Sequence, residues 1–130
     1  MNKYISFIVI SIWASFIANA QPTPNKPMNV AIFLYKGVEL LDFAGPYEVF
    51  GNTGGFNVCT VSYLPEVSVF PQNKIKLKPD YQLVDCPKPD IIIFSGATPE
   101  GVMRVYMNDE VMNWIKETDK GTQRQKNWIL

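Results

Sequence analysis

Among the 130 residues, three side chains are of a type and in a place that could support chemistry: Asp42, Cys59 and Cys86. Asp42 interrupts an otherwise apolar stretch from Asn29 to Gly51, NVAIFLYKGVELLDFAGPYEVFG. A carboxylate there could hold or relay a proton, and ligands of open parallel sheets collect outside the carboxyl ends of strands, where this acid falls. From spacing alone, a turn or capping aspartate is the first reading, because Asp is common at such bends. Cys59 lies within NVCTV and Cys86 within VDCPKP. Neither falls at a strand-to-helix turn, where a helix N-terminus would lower a thiol pKa. Buried or loop thiols, or one disulfide formed after export, are the expected states.

The missing residue types exclude whole classes. With no histidine in the chain, it cannot by itself build a Ser-His-Asp or Cys-His pair, nor a helix-borne H-E-x-x-H zinc site. Two cysteines without C-x-x-C spacing argue against structural zinc. Neither a metal nor a cofactor is expected, since the methionines and aromatics fall on the inner stripes of the expected helices and read as core. Twelve basic and twelve acidic residues cancel, and no Lys/Arg cluster interleaves with aromatics, so the electrostatic footprint of a nucleic-acid binder is absent.

The elements around Asp42 follow from hydrophobic pattern. Val30 to Tyr35 is a continuous apolar run, as in a strand buried on both faces of a parallel sheet. Lys36-Gly37 punctuates it. Leu40, Phe43, Tyr47 and Phe50 then form a helical stripe, interrupted by Gly45-Pro46. Proline lacks an amide hydrogen, so the spacing predicts a regular helix from Pro46, with Asp42 in the non-helical bend before it. Phe56 to Tyr63 reads as a second strand, entered through a glycine-rich helix cap and loop. Val67 to Phe70 and Lys74 to Leu77 read as an edge hairpin with lysines outward. Asp80 to Lys88 is a polar connection, Asp90 to Ser95 a buried strand, and Asn108 the cap of a helix that buries Val111, Trp114, Ile115 and Met107 and stops at Gly121. The order strand, helix, strand, hairpin, strand, helix predicts an α/β fold, a three-layer sandwich with a mainly parallel, flavodoxin-like sheet.

The stretch VAIFLYKGVELLDFAGPYEVFG resembles the opening motif of the DJ-one/PfpI superfamily, which is class I glutamine amidotransferase-like, and within it the isonitrile-hydratase-like branch. A second stretch, PDIIIFSGATPEG from Pro89 to Gly101, resembles that family's next core strand and glycine turn. The two matches lie in order at the family's usual separation, and the resemblance covers Asn29 to Leu130, the N-terminal part of such a domain. It implies that Asp42 is the acid that hydrogen-bonds a nucleophilic cysteine. It also implies that the backbone at Gly96 and Ala97 lines an oxyanion pocket, with Ala97 standing where the family usually has glycine. Relatives in the superfamily are often dimers, so a homodimer and a small-molecule substrate or ligand are the implied partners.

Met1 to Ala20 has the features of a secretory signal: Lys3, an apolar run from Tyr4 to Ile17, and Ala18-Asn19-Ala20 before Gln21. The apolar run is shorter than the roughly 20 residues that span a bilayer. An exported protein, periplasmic or secreted, is therefore expected, touching a membrane only through the signal segment if uncleaved. Residues 21–28, with prolines at Pro22, Pro24 and Pro27, read as a linker, and 29–130 as the domain. The final Asn127-Trp128-Ile129-Leu130 looks like the entry to the next central strand. In the resembled family that strand leads into the cysteine-bearing turn, so the expectation is a domain truncated before its nucleophile and inactive as given. The alternatives are a non-catalytic small-ligand-binding or sensory domain on the same scaffold, or a gene remnant.

Overall fold

The computed structural model describes residues 26–120. The expected signal segment, the first part of the linker and everything from Gly121 onward lie outside the described residues. The elements are β1 (Met28–Phe33), β2 (Val38–Glu39), α1 (Leu40–Asn52), β3 (Phe56–Ser62), β4 (Val67–Phe70), β5 (Ile75–Leu77), β6 (Tyr81–Gln82), β7 (Ile91–Phe94), α2 (Pro99–Tyr106) and α3 (Asp109–Lys120). Four strands in the order β6-β3-β1-β7 make a wholly parallel sheet, and β2-β4-β5 form a smaller one. This is the α/β, flavodoxin-like architecture with a mainly parallel sheet that the pattern predicts.

The centre of the fold is β1, whose side chains alternate between two cores. Val30, Ile32 and Leu34 pack with Phe43 of α1 on one face. Ala31, Phe33 and Tyr35 pack with Val61 of β3 and Val111 of α3 on the other. Because all six are buried, the strand needs apolar residues at every position, not every second one. The result is three layers, with α1 on one side and α3, joined by Val105 of α2, on the other.

Paired acids set the register at the sheet margins. Asn29 and Asp90 exchange bonds, Asn29 N to Asp90 Oδ2 and Asp90 N to Asn29 O, each 2.8 Å, which starts β7 beside β1. Asp80 Oδ2 accepts from Thr60 N at 2.7 Å and from Thr60 Oγ1 at 2.8 Å, which aligns Tyr81 with Val61.

The structure corrects the expected start of the first helix. α1 begins at Leu40, not at Pro46, and Pro46 lies inside it. Asp42 is consequently in the first helical turn, where a carboxylate is favoured by the exposed amides and the helix dipole. Pro46 removes the amide that would have bonded the carbonyl of Asp42, a loss of about 3 kcal/mol in an isolated helix interior. Burial of Phe43 and packing of Ala44 and Phe50 against the sheet offset it. The inner stripe is narrower than the spacing suggested, since Leu40 and Tyr47 remain 37% and 45% exposed.

Three elements were not anticipated. β2 and β6 are two residues each, too short to show a period. α2 occupies what read as part of the glycine turn: Thr98 caps it, its Oγ1 accepting from Gly101 N at 3.3 Å, and Pro99 opens it. That start signal was present in the residues themselves. α2 also takes Met107 out of the following helix; Met107 ends α2 and is 72% exposed, not on the inner stripe of α3. Asn108 does cap α3, its Oδ1 accepting from Val111 N at 3.2 Å.

Candidate functional site

β1 and β7 are parallel neighbours, with Phe33 beside Phe94, so the chain leaves both on the same edge of the sheet. Two turns meet there. The first is Lys36-Gly37, running into β2; the second is Ser95-Gly96-Ala97-Thr98, running into α2. They are stitched by Glu39 N to Gly96 O at 2.8 Å and Thr98 N to Gly37 O at 3.2 Å, around an isolated antiparallel bridge between Val38 and Ala97. Gly37 takes φ +82°, a left-handed conformation, and a β-carbon on it would lie 2.8 Å from Thr98 Oγ1. Only glycine fits that crossing without strain.

Beneath the stitch lies a buried bond. The phenol of Tyr35 donates to the carbonyl of Ser95 at 2.6 Å. Burial, with a smaller contribution from the negative charge of Asp42, raises the Tyr35 pKa and keeps the phenol a donor. The hydroxyl of Ser95 is in a different position. Ser95 is 3% exposed, and its Oγ has no hydrogen-bond partner among the described residues.

Asp42 faces this turn from the first turn of α1, itself exposed to solvent. A β-carbon built on Gly96 would collide with Asp42 Oδ2. The carboxylate as placed occupies the space a β-carbon on residue 96 would need, so a larger residue there would have to displace the exposed Asp42 side chain. The stitching bonds use the amides of Glu39 and Thr98, so those of Gly96 and Ala97 are not consumed by them. The arrangement therefore sets an acid beside the backbone of Gly96 and Ala97; a carboxylate can move a proton, and backbone amides can stabilise negative charge.

Of the side chains singled out in the sequence, Asp42 is brought against Gly96, with Ala97 alongside. Cys59 and Cys86 are not brought there. Cys59 is opposite Ala31 in mid-sheet, well before the strand ends. Tyr35 and Ser95 were missed, because each sits at the end of a buried strand where a polar tip resembles ordinary core. Two surface hollows, of about 530 Å³ and about 240 Å³, share Lys36 and Arg104 in their walls; neither includes Asp42 or Gly96. Among the described residues, no group of three Cys, Asp or Glu side chains is gathered as a metal site requires. Nor is any described helix long and apolar enough to cross a membrane.

No family model matches the chain, and no curated protein matches it. Among solved structures, it is similar to the crystal structure of a ThiJ/PfpI family protein from Pseudomonas syringae, with 18% identity and a TM-score of 0.69. The likeness covers 82% of this chain and 43% of that one, so the chain spans under half the length of that neighbour. What the two share at this identity is the fold.

Proposed function

We propose that this chain supplies the acid half of a cysteine hydratase site of the DJ-one/PfpI, isonitrile-hydratase-like kind, in an exported protein. The observation that carries the reading is the seating of the Asp42 carboxylate against Gly96, at the carboxyl edge of β1 and β7. In such a site, a thiolate bonds to the terminal carbon of an isonitrile while Asp42 carries the thiol's proton to that carbon. Water then adds across the carbon–nitrogen double bond of the resulting thioimidate, its oxygen to carbon and one proton to nitrogen; the carbon–sulfur bond breaks, the remaining hydroxyl proton returns by way of Asp42 to the released thiolate, and an N-substituted formamide leaves. The amides of Gly96 and Ala97 hold the negative charge that develops on oxygen as water adds.

Neither cysteine of the chain lies at Asp42, so the 130 residues alone are expected to show no turnover. The reading therefore requires a nucleophile supplied from outside these 130 residues. The test is an isonitrile hydration assay on a protein that includes a cysteine-bearing continuation read from the downstream gene sequence. Turnover that falls by about 100-fold or more in Asp42→Ala supports the reading. Unchanged turnover in that variant, or none in the parent, overturns it. Recovery of a mature N-terminus at Gln21 from the periplasmic or culture fraction tests the export element separately.

One observation favours a second reading. A carboxylate seated against a backbone turn, with neither Cys59 nor Cys86 beside it, also suits a small polar ligand that is held and not turned over. Saturable binding that Asp42→Ala abolishes, in a protein without turnover, would select it.

A further inference from the structure

Cys59 and Cys86 take no part in the site around Asp42. Cys59 lies in β3 opposite Ala31, two residues from Val61, so both side chains project from the same face of the strand toward the core that holds Ala31 and Phe33. Cys86 reaches that place by another route. After β6 the chain turns, with Asp85 N bonded to Gln82 O at 3.2 Å, and the buried Leu83 anchors the turn in the same core. Cys86 follows three residues later and packs against the same core as Cys59, each of them partly buried.

The two thiols are within hydrogen-bonding reach of one another. That bond lowers the Cys59 pKa against the opposing effects of burial and Asp80, and it raises that of Cys86. Pro87 O, 3.4 Å from Cys86 Sγ, is an alternative acceptor for the single S–H of Cys86. The pair is thus asymmetric, with Cys59 the more readily ionised member.

We propose that Cys59 and Cys86 are a disulfide-forming pair that ties β3 to the connection between β6 and β7. The oxidant is an external disulfide, either a small molecule such as oxidised glutathione or a protein thiol–disulfide exchanger. The Cys59 thiolate attacks one sulfur of that disulfide and expels the other as a thiolate, leaving a mixed disulfide on Cys59. Cys86 then attacks the Cys59 sulfur and expels the second external thiolate. Two electrons pass to the oxidant, and the two cysteine protons end on its two thiols. The closed loop contains β4, β5 and β6, so the bond restrains the whole excursion that separates β3 from β7. In the unfolded chain it removes the freedom of the same loop, the usual origin of disulfide stabilisation.

The full chain is equilibrated in graded mixtures of oxidised and reduced glutathione, free thiols are alkylated, and intact mass and peptide maps are read. The expected product loses both alkylation sites together, is lighter by two hydrogen atoms, and yields one peptide pair joined through Cys59 and Cys86. In the same mixtures, Cys59→Ser and Cys86→Ser should each retain a glutathione adduct on the remaining cysteine. Glutathione adducts on the unaltered chain without the joined peptide would overturn the proposal. So would two thiols that remain fully alkylated in mixtures that load the single variants.

Discussion

The carboxylate of Asp42 lies against the α-carbon of Gly96 with no room for a β-carbon between them. The contact joins the first turn of α1 to the turn after β7, across 54 positions of sequence that include the entire β3–β6 excursion. It also sets a negative charge near the buried phenol of Tyr35. These coupled groups can be disturbed one at a time.

Asp42→Asn removes the charge and Gly96→Ala displaces it. Either substitution should lower the Tyr35 pKa while leaving it above its ordinary value, since burial is the larger cause. Site-resolved NMR titration of the tyrosine ring reads this directly. An unmoved Tyr35 in both variants would show that the carboxylate is not seated at the turn. The stability cost of Gly96→Ala should be small for an overpacked site, about 1 kcal/mol, because the exposed Asp42 side chain can swing away.

Tyr35→Phe keeps the ring and deletes the donor to Ser95 O. The carbonyl stays buried without that partner, so the loss should be about 1–3 kcal/mol. Urea unfolding should show a lower midpoint with an unchanged slope. A midpoint equal to that of the parent would mean that water replaces the phenol.

Stability should fall in alkali. Tyr35 is raised above the ordinary tyrosine value by burial and the Asp42 charge, and Tyr63 is raised by burial against an opposing Arg104. Below that ordinary value of about 10 the phenols are protonated in both states, and their contribution is complete. Above it the unfolded chain releases protons first, so stability declines as pH rises through the folded-state values. Thermal unfolding at stepped pH checks the sign, and Tyr35→Phe should flatten the decline.

Phe33→Ala should be the most damaging single truncation. Phe33 is fully buried and its ring lies 5.2 Å from that of Phe94 and 6.1 Å from that of Trp114. Removing it takes a shared contact from β1, β7 and α3 at once, and the expected loss is about 3–5 kcal/mol. Denaturant unfolding measures it, and a loss under about 1 kcal/mol would mean that the second core collapses to fill the space.

By itself, the sequence determined the buried strand Val30 to Tyr35, the strands around Cys59 and Ile92, the hairpin after Val67, and the helix capped by Asn108. Each has a hydrophobic period or a capping residue within a few positions. The parallel α/β class followed from their order. Tertiary structure decided the start of α1, because Pro46 is tolerated in a helix only when packing of Phe43 and Phe50 on the sheet offsets the lost bond. It also decided β2 and β6, whose two residues are ordered by partners far along the chain, Val69 and Val61 among them. The site is of the same kind. Asp42 was legible as an acid near a strand end, whereas Gly96, the Tyr35–Ser95 bond and the unpartnered Ser95 hydroxyl became adjacent only when β7 paired beside β1. Local signals act over one or two helical turns, and these contacts depend on pairings some 60 residues apart.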